Sequence, residues 1–297
     1  MVRGELARYR SRMIIDNEGV SLHVAQDGNP DGPTVLMLHG ITSNVDTWNW
    51  LVPHLAADYR LLRLDFRGHG LSGRAEGTYD FPAYVSDAIA VAEQVVGGPC
   101  VVIGHSLGGG SAAAMAQQRP ELVCGLILED PAIFAPPEPG GEAPAGGLSE
   151  AFKMLRQMVP MLQQSGMTVE ALAQTLAVTP GTNGAPLGDS MQPDALAAMA
   201  SALLQLDATV LDPVLDGSIT SAFDPTETIP VPGVVLAGDS AQPDTIVRAA
   251  EIALLAQHSP HIEVRVVAGA GHMIHDSLVF RAIELAAVQE FLAANAR

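Results

Sequence analysis

Cysteine is scarce in this chain. The 297 residues include only two cysteines, Cys100 and Cys124, and each stands at the start of an apolar run, where a small buried thiol is expected. The sequence contains no CxxC pair and no His/Cys cluster. We therefore expect no zinc site and no other bound metal.

Long hydrophobic runs are also missing. The first 25 residues contain no apolar stretch of the secretory type, and no run approaches the roughly 18 residues of a membrane span. We therefore expect a soluble, cytoplasmic protein with no membrane partner.

Basic residues are few. The chain has 15 Lys and Arg against 33 Asp and Glu, which gives a formal net charge of −18 at pH 7. A surface of this sign repels phosphate, which argues against nucleic acid or an anionic membrane as a partner. Apolar residues make up 48% of the chain, enough for a sizeable core. The expected partner is a small molecule, and a homodimer is left open.

Six short apolar runs rich in β-branched residues recur along the chain. They lie at 34–40, 59–70, 100–106, 124–130, 232–239 and 262–272. Such short, continuously apolar runs are typical of strands buried on both faces of a parallel sheet. Helical patterns alternate with them, at about 48–57, 81–96, 107–118, 243–257 and 279–295. This alternation predicts an α/β fold. Residues 12–28 indicate an antiparallel hairpin that turns at Asn17–Gly19.

The alternation stops between about 135 and 225. A Pro/Gly-rich segment at 135–147 indicates an exposed linker, and apolar residues then recur at helical spacing from Phe152 to Leu162. We expect three or four inserted amphipathic helices. Six of the eleven methionines fall here, and they fit either a lid over an apolar pocket or ordinary packing of the insertion on the core. The predicted division is a core part at 1–134, a helical cap at 135–227 and a second core part at 228–297.

One serine stands between an apolar run and a run of small residues. Gly104-His105-Ser106-Leu107-Gly108 fits the G-x-S-x-G pattern of a nucleophile elbow. A strand that turns at once into a helix strains the middle residue and presents its hydroxyl at the apex. Side chains at positions 104 and 108 would collide in such a turn. We therefore predict that Ser106 is a nucleophile.

A serine hydroxyl needs a base to take its proton. His272 follows the last predicted strand and precedes the last predicted helix, so its loop can reach the elbow. We predict that His272 is the general base. Structural roles are assigned to the other histidines that stand near these motifs, which are His39, His69, His105 and His275.

An oxyanion formed by attack of the serine needs two hydrogen-bond donors. The N–H of Leu107 opens the helix after the elbow and supplies one. The N–H of Ile41, after the apolar run 34–40, is predicted to supply the other. Gly40 lets that loop approach the serine closely.

The motifs taken together resemble the α/β-hydrolase superfamily, in particular its serine esterase, lactonase and haloperoxidase-like branch. They are the His39-Gly40 loop, DFRGHGLS at 65–72, GHSLGG at 104–109, the helical insertion, and GAGH at 269–272. The resemblance covers about 14–134 and 228–297. It implies a mostly parallel, eight-stranded sheet flanked by helices, with an inserted all-helical cap.

The acid that completes the triad departs from the commonest pattern of this family. In that pattern it ends a Gly-x-x-Asp stretch after the cap, but here the stretch ends in Ala241. A second family pattern puts the acid at the end of the preceding strand, where this chain has Asp130. We predict Asp130, with Asp239 as the alternative acid and Glu129 or Asp244 as the remaining candidates. The acid orients and stabilises His272.

The resemblance implies hydrolysis of an uncharged, rather apolar ester or lactone, without a metal or an organic cofactor. Carbon–carbon bond hydrolases, perhydrolases and ligand-binding receptors of this fold remain as alternatives, whereas epoxide hydrolases need a carboxylate at the elbow. For Trp48 ordinary core packing is equally expected. The predicted pocket walls are Gly40, Trp48, Phe134, Phe152, Met154, Met158 and Met273.

Overall fold

One eight-stranded sheet organises the residues that the structure, a computed structural model, describes: 10–134, 149–181, 184–219 and 221–296. The strands are β1 (Arg10–Asn17), β2 (Val20–Gly28), β3 (Thr34–Leu38), β4 (Arg60–Leu64), β5 (Cys100–His105), β6 (Val123–Glu129), β7 (Gly233–Ala237) and β8 (Ile262–Val266). Their order in the sheet is β1-β2-β4-β3-β5-β6-β7-β8. The hairpin of β1 and β2 turns at Glu18–Gly19, close to the predicted position, and both turn residues have positive φ.

The sheet is parallel from β4 through β8. Only the pairings of β2 with β1 and with β4 are antiparallel. The carboxyl ends of the parallel strands therefore meet at one edge, where ligands bind in open α/β sheets. In the register of β5 with β6, His105 pairs with Glu129. The next residues, Ser106 and Asp130, consequently leave the sheet side by side.

Helices cover both faces of the sheet. Leu36 of β3 packs in a cluster with Tyr84 and Ala113, whereas its neighbour Met37 packs in a second cluster with Val288. This alternation explains why the strands are continuously apolar. The α-helices of the described residues are α1 (Val52–Leu55), α2 (Phe81–Val91), α3 (Leu107–Gln118), α4 (Ser149–Gln164), α5 (Val169–Val178), α6 (Pro193–Gln205), α7 (Asp212–Leu215), α8 (Ala249–His258) and α9 (Arg281–Asn295).

The predicted insertion consists of α4 to α7, which lie between β6 and β7. Ser201 of α6 donates to Asp46 at 2.8 Å, and Tyr79 donates to Asp207 at 2.8 Å, so this part is bonded to the core at separate points. The predicted linker at 135–147 lies outside the described residues. The domain limits 1–134, 135–227 and 228–297 stay predictions.

Two predicted helices begin later or are shorter in the structure. The pattern at 48–57 forms a 3-10 turn, Val45–Trp48, followed by the short α1. The pattern at 243–257 becomes helical only at Ala249. The reason for this delay is tertiary, because the N–H groups of Ile246 and Val247 point at the carboxylate of Asp130.

Among the described residues, no single helix is long and apolar enough to cross a membrane. The helix α6 and the segment Ala208–Leu215 reach that length only as a pair, and the pair is bent by 101°.

Replacing Asp87 by asparagine should destabilise the fold strongly. Asp87 is fully buried on α2 and accepts hydrogen bonds from Arg67 at 2.7 and 2.9 Å and from Asn17 at 2.8 Å. The change leaves a buried guanidinium without a counter-charge, which costs about 3–5 kcal/mol of unfolding free energy. Urea denaturation measures the loss. Glu93→Gln, which breaks a half-exposed pair with Arg119, is the matched control and should cause no measurable change. Equal losses in the two variants would contradict the prediction.

Candidate active site

Ser106 occupies a sharp turn between β5 and α3. Its φ is 52° and its ψ is −115°, a conformation that a residue with a side chain adopts only under strain. A Cβ added at Gly104 would lie 2.5 Å from the carbonyl oxygen of Gly108, and one added at Gly108 would lie 2.2 Å from that of Leu38. Both positions therefore require glycine, as the collision argument predicts.

The two N–H groups predicted to bind an oxyanion belong to segments that adjoin Ser106. Leu107 is the first residue of α3, and Ile41 lies in the loop after β3. In the part of the chain that the structure describes, neither N–H donates a hydrogen bond. The loop passes close to the serine at Gly40. A Cβ added at this position would lie 3.3 Å from the Cβ of Ser106. Both donors are thus free for a ligand.

His272 and Asp130 form a buried pair. The His272 Nδ1 lies 2.6 Å from the Asp130 Oδ2, Asp130 is fully buried and His272 is nearly so. A carboxylate can only accept, so the Nδ1 carries the proton and the Nε2 is left with a lone pair. This is the tautomer that a general base needs.

Backbone N–H groups hold the Asp130 carboxylate. Ile246 donates at 2.9 Å, Val247 at 3.1 Å and Gly238 at 3.4 Å. These donors offset the loss of hydration that the buried carboxylate suffers. Asp130 itself has a φ of 34°, so it is strained like Ser106 at the same edge of the sheet.

His105 connects the elbow to the histidine loop. Its ring centroid lies 4.7 Å from that of His272, and its Nε2 donates to the His272 carbonyl oxygen at 3.2 Å. Burial lowers the pKa of His105 to about 3, so this imidazole is neutral. The structure thus brings Ser106, Asp130 and His272 to one edge of the sheet. Their catalytic roles stay predictions.

The other candidate acids have different partners. The Asp239 carboxylate accepts from the N–H groups of Ala241 at 3.0 Å and Gly269 at 2.8 Å, and these bonds lower its pKa. Asp244 accepts the backbone N–H of His272 at 3.4 Å. Among the described residues, neither carboxylate accepts a hydrogen bond from the His272 ring. The geometry therefore favours Asp130 over Asp239 as the acid.

A second acid–histidine pair lies beside the first. The Glu129 Oε2 is 2.5 Å from the His275 Nδ1, and the Oε1 accepts the His275 backbone N–H at 2.9 Å. Burial by itself would lower the pKa of His275, but the charges of Asp276 and Glu129 outweigh burial and raise it. Sequence reasoning missed this pair. The available signals were the consecutive acids Glu129-Asp130 and the spacing of His272 and His275.

Glu284 of α9 lies in the same buried cluster. Both of its carboxyl oxygens are buried, and neither has a hydrogen-bond partner within the described ranges. Burial and the nearby charge of Glu129 raise the pKa of Glu284 well above its usual value. The surroundings of Glu284 therefore disfavour its charged form.

One buried set of side chains could, by composition, hold a metal ion. His105, Glu129 and His275 offer ligand atoms that all lie within 4.8 Å of one another. The His275 Nδ1 is engaged by Glu129, however, and its Nε2 lies 2.8 Å from the Thr47 hydroxyl. The ion pair already uses the donor atoms, so the set does not fit a metal.

Trp48 follows the core-packing alternative, and the two predicted pocket methionines of α4 are partly or largely exposed, so their roles as pocket walls stay predictions. Trp48 is fully buried in the second core cluster, with its ring stacked on His275 at 5.3 Å. Met154 and Met158 of α4 are 61% and 38% exposed, because α4 turns the side of Val159 toward the core.

The other predicted pocket residues are buried or half-buried. Phe134 and Phe152 are half-buried and pack against the first core cluster. Met273 is half-buried, and Gly40 is buried beside the serine. Ser106 itself is only 6% exposed, so neighbouring residues cover almost all of its surface.

Known proteins share the sequence pattern and the fold of this chain. The model of the alpha/beta hydrolase family matches residues 35–288. The chain is 26% identical over 281 residues to a 2-(acetamidomethylene)succinate hydrolase of Mesorhizobium japonicum, and the match covers 94% of each protein. A serine hydrolase-like protein of Danio rerio is 42% identical over 113 residues, which are 37% of this chain and 35% of that protein. The chain thus spans about a third of the zebrafish protein's length.

A solved structure gives the same fold. The crystal structure of E-2-(acetamidomethylene)succinate hydrolase superposes with a TM-score of 0.71 at 23% identity, covering 96% of this chain and 100% of that one. The expected fold class, a mostly parallel eight-stranded sheet flanked by helices, is confirmed. The match to the family model extends over most of the chain, and the chain therefore belongs to the alpha/beta hydrolase family.

Proposed function

We propose that this protein is a serine hydrolase that cleaves a carboxylic ester or lactone of an uncharged, rather apolar small molecule. One observation carries the proposal. The His272 imidazole is held by Asp130 at 2.6 Å in the tautomer of a base, at the sheet edge where Ser106 sits in a strained turn. A serine and a free imidazole lone pair are what acyl transfer requires.

The reaction proceeds through an acyl-enzyme. His272 takes the proton of Ser106 as the hydroxyl oxygen attacks the carbonyl carbon. The N–H groups of Ile41 and Leu107 stabilise the oxyanion of the tetrahedral intermediate. His272 then gives the proton to the leaving alcohol, and Asp130 stabilises the imidazolium between these steps. Water, activated by His272, attacks the ester on Ser106 and releases the acid.

Charge in the predicted cap supports an uncharged substrate. Residues 135–227 include eleven acidic residues but only two basic ones, Lys153 and Arg156. Lys153 pairs with Glu150 at 2.6 Å, and Arg156 pairs with Asp212 at 2.5 Å. A substrate carboxylate would find no free cation there among the described residues, and it would meet a negative field.

A second candidate is suggested by the alignment over 94% of the chain with a 2-(acetamidomethylene)succinate hydrolase. That reaction would use the same serine, base and oxyanion donors on an acylated amine. A succinate carries two carboxylates, however, and the acidic cap offers them no counter-charge. A neutral ester or lactone is therefore the favoured substrate class.

Asp130→Asn should lower kcat for p-nitrophenyl butyrate by about 10³- to 10⁴-fold, because the amide no longer selects the basic tautomer of His272. Asp239→Asn is the matched control and should keep kcat within a few-fold of the wild type. Steady-state kinetics measure both, and circular dichroism checks the fold. Loss of turnover in the Asp239 variant with a fully active Asp130 variant would reverse the assignment of the acid.

The charge of the acyl chain should decide the specificity. We expect kcat/KM for p-nitrophenyl butyrate to exceed that for mono-p-nitrophenyl succinate, which has the same chain length and one carboxylate, by at least about 10-fold at low salt. The ratio of the two kcat/KM values should fall as the salt concentration rises. Faster turnover of the succinate, or of 2-(acetamidomethylene)succinate, would favour the second candidate.

A labelling experiment distinguishes an enzyme from a ligand-binding protein. A fluorophosphonate should label the wild type and leave Ser106→Ala unlabelled. No labelling together with no turnover would indicate a ligand-binding member of the fold.

A further inference from the structure

His275 is held at each of its polar atoms. Its backbone N–H and its Nδ1 both donate to Glu129, at 2.9 and 2.5 Å. Its Nε2 donates to the Thr47 hydroxyl at 2.8 Å and faces Asp276 at 3.2 Å. Its carbonyl oxygen accepts from the Arg281 Nε at 2.5 Å. A residue fixed at so many points cannot move without breaking several bonds.

These bonds lie three residues from the imidazole of the triad. The loop after β8 carries both His272 and His275, and the end of β6 carries both of their acids, Asp130 and Glu129. The two neighbouring carboxylates thus hold two histidines of one loop. Asp130 hydrogen-bonds to the ring of His272, whereas Glu129 accepts a hydrogen bond from the backbone N–H of His275.

The second pair is ionic and buried. Burial would raise the pKa of Glu129, but the positive charge of His275 outweighs it and lowers the pKa. Both side chains have almost no exposed surface. The attraction between them is consequently little screened by solvent, and loss of either charge leaves the other uncompensated.

We propose that His275 is a positioning residue for His272, and that Glu129 acts through His275 to fix the loop on which the general base stands. The inference rests on the proposed function in one respect, that His272 is the base. Within the described residues, neither the Glu129 nor the His275 side chain hydrogen-bonds to Ser106 or to the His272 ring. Their removal should misplace the base without changing contacts to the substrate.

The test is a pair of identical substitutions in one buried cluster. Glu129→Gln removes the charge that holds His275, and it should lower kcat for p-nitrophenyl butyrate on the order of 10- to 100-fold with little change in KM. Glu284→Gln is the matched control. The Glu284 carboxyl makes no hydrogen bond within the described residues and does not contact the loop through one, so kcat should stay within about 2-fold. Equal kcat values in two folded variants would overturn the proposal.

A spectroscopic measurement tests the same geometry without a substrate. The Nδ1 protons of His272 and His275 lie in short hydrogen bonds, so each should give a far-downfield proton resonance, assigned by its loss in His272→Gln or His275→Gln. In Glu129→Gln the His275 signal should vanish, and the His272 signal should shift and broaden. In Glu284→Gln both should persist. An unchanged His272 signal in folded Glu129→Gln would contradict the positioning role.

Thr47→Val decides the question if Glu129→Gln does not fold. It removes one hydrogen bond to His275 and nearly keeps the side-chain shape. A broadened His272 signal with a kcat lowered about 3- to 10-fold supports the proposal, and an unchanged signal and kcat overturn it. If the wild type hydrolyses no ester, the proposed function fails, whereas the resonances still report whether Glu129 positions His272.

Discussion

The buried carboxylate of Asp130 is the constraint on which the site depends. It is fully buried, and it stays there because N–H groups of Ile246 and Val247, together with His272, replace the water it has lost. Each of those donors is on a different segment from Asp130 itself. The carboxylate therefore joins the end of β6, the loop after β7 and the loop after β8. A single desolvated charge thereby determines where three parts of the backbone meet.

Local chemistry made the sheet and the elbow predictable from sequence. The apolar runs predict strands because consecutive residues of β3, such as Leu36 and Met37, are buried on opposite faces of the sheet. The elbow is equally local. The Cβ of any residue other than glycine at 108 would collide with the Leu38 carbonyl oxygen. The glycine at this position therefore indicates a close backbone contact. The assignment of Asp130 needed the family pattern, since no short-range signal tells it from Asp239.

Features that depend on distant partners were not predictable in the same way. The periodicity of α4 shows that the helix has two faces, but not that Val159 turns inward and Met154 outward. The sequence does not decide between a pocket wall and core packing for Trp48. Its ring stacks on His275, more than two hundred residues further along the chain. The late start of α8 has a similar origin, because its preceding N–H groups serve Asp130. In each case a tertiary contact overrides the local pattern.

The histidine loop is also bonded to the predicted cap, and this limits how the cap can move. The N–H of Gln192 donates to the Asp276 carbonyl oxygen at 2.8 Å, and both Asp194 oxygens accept from Arg281 at 2.8 Å. Arg281 in turn donates to the His275 carbonyl oxygen. A displacement of the start of α6 must either break these bonds or carry the loop with it. Movement of this part of the predicted cap is therefore coupled to the loop that carries His272 and His275.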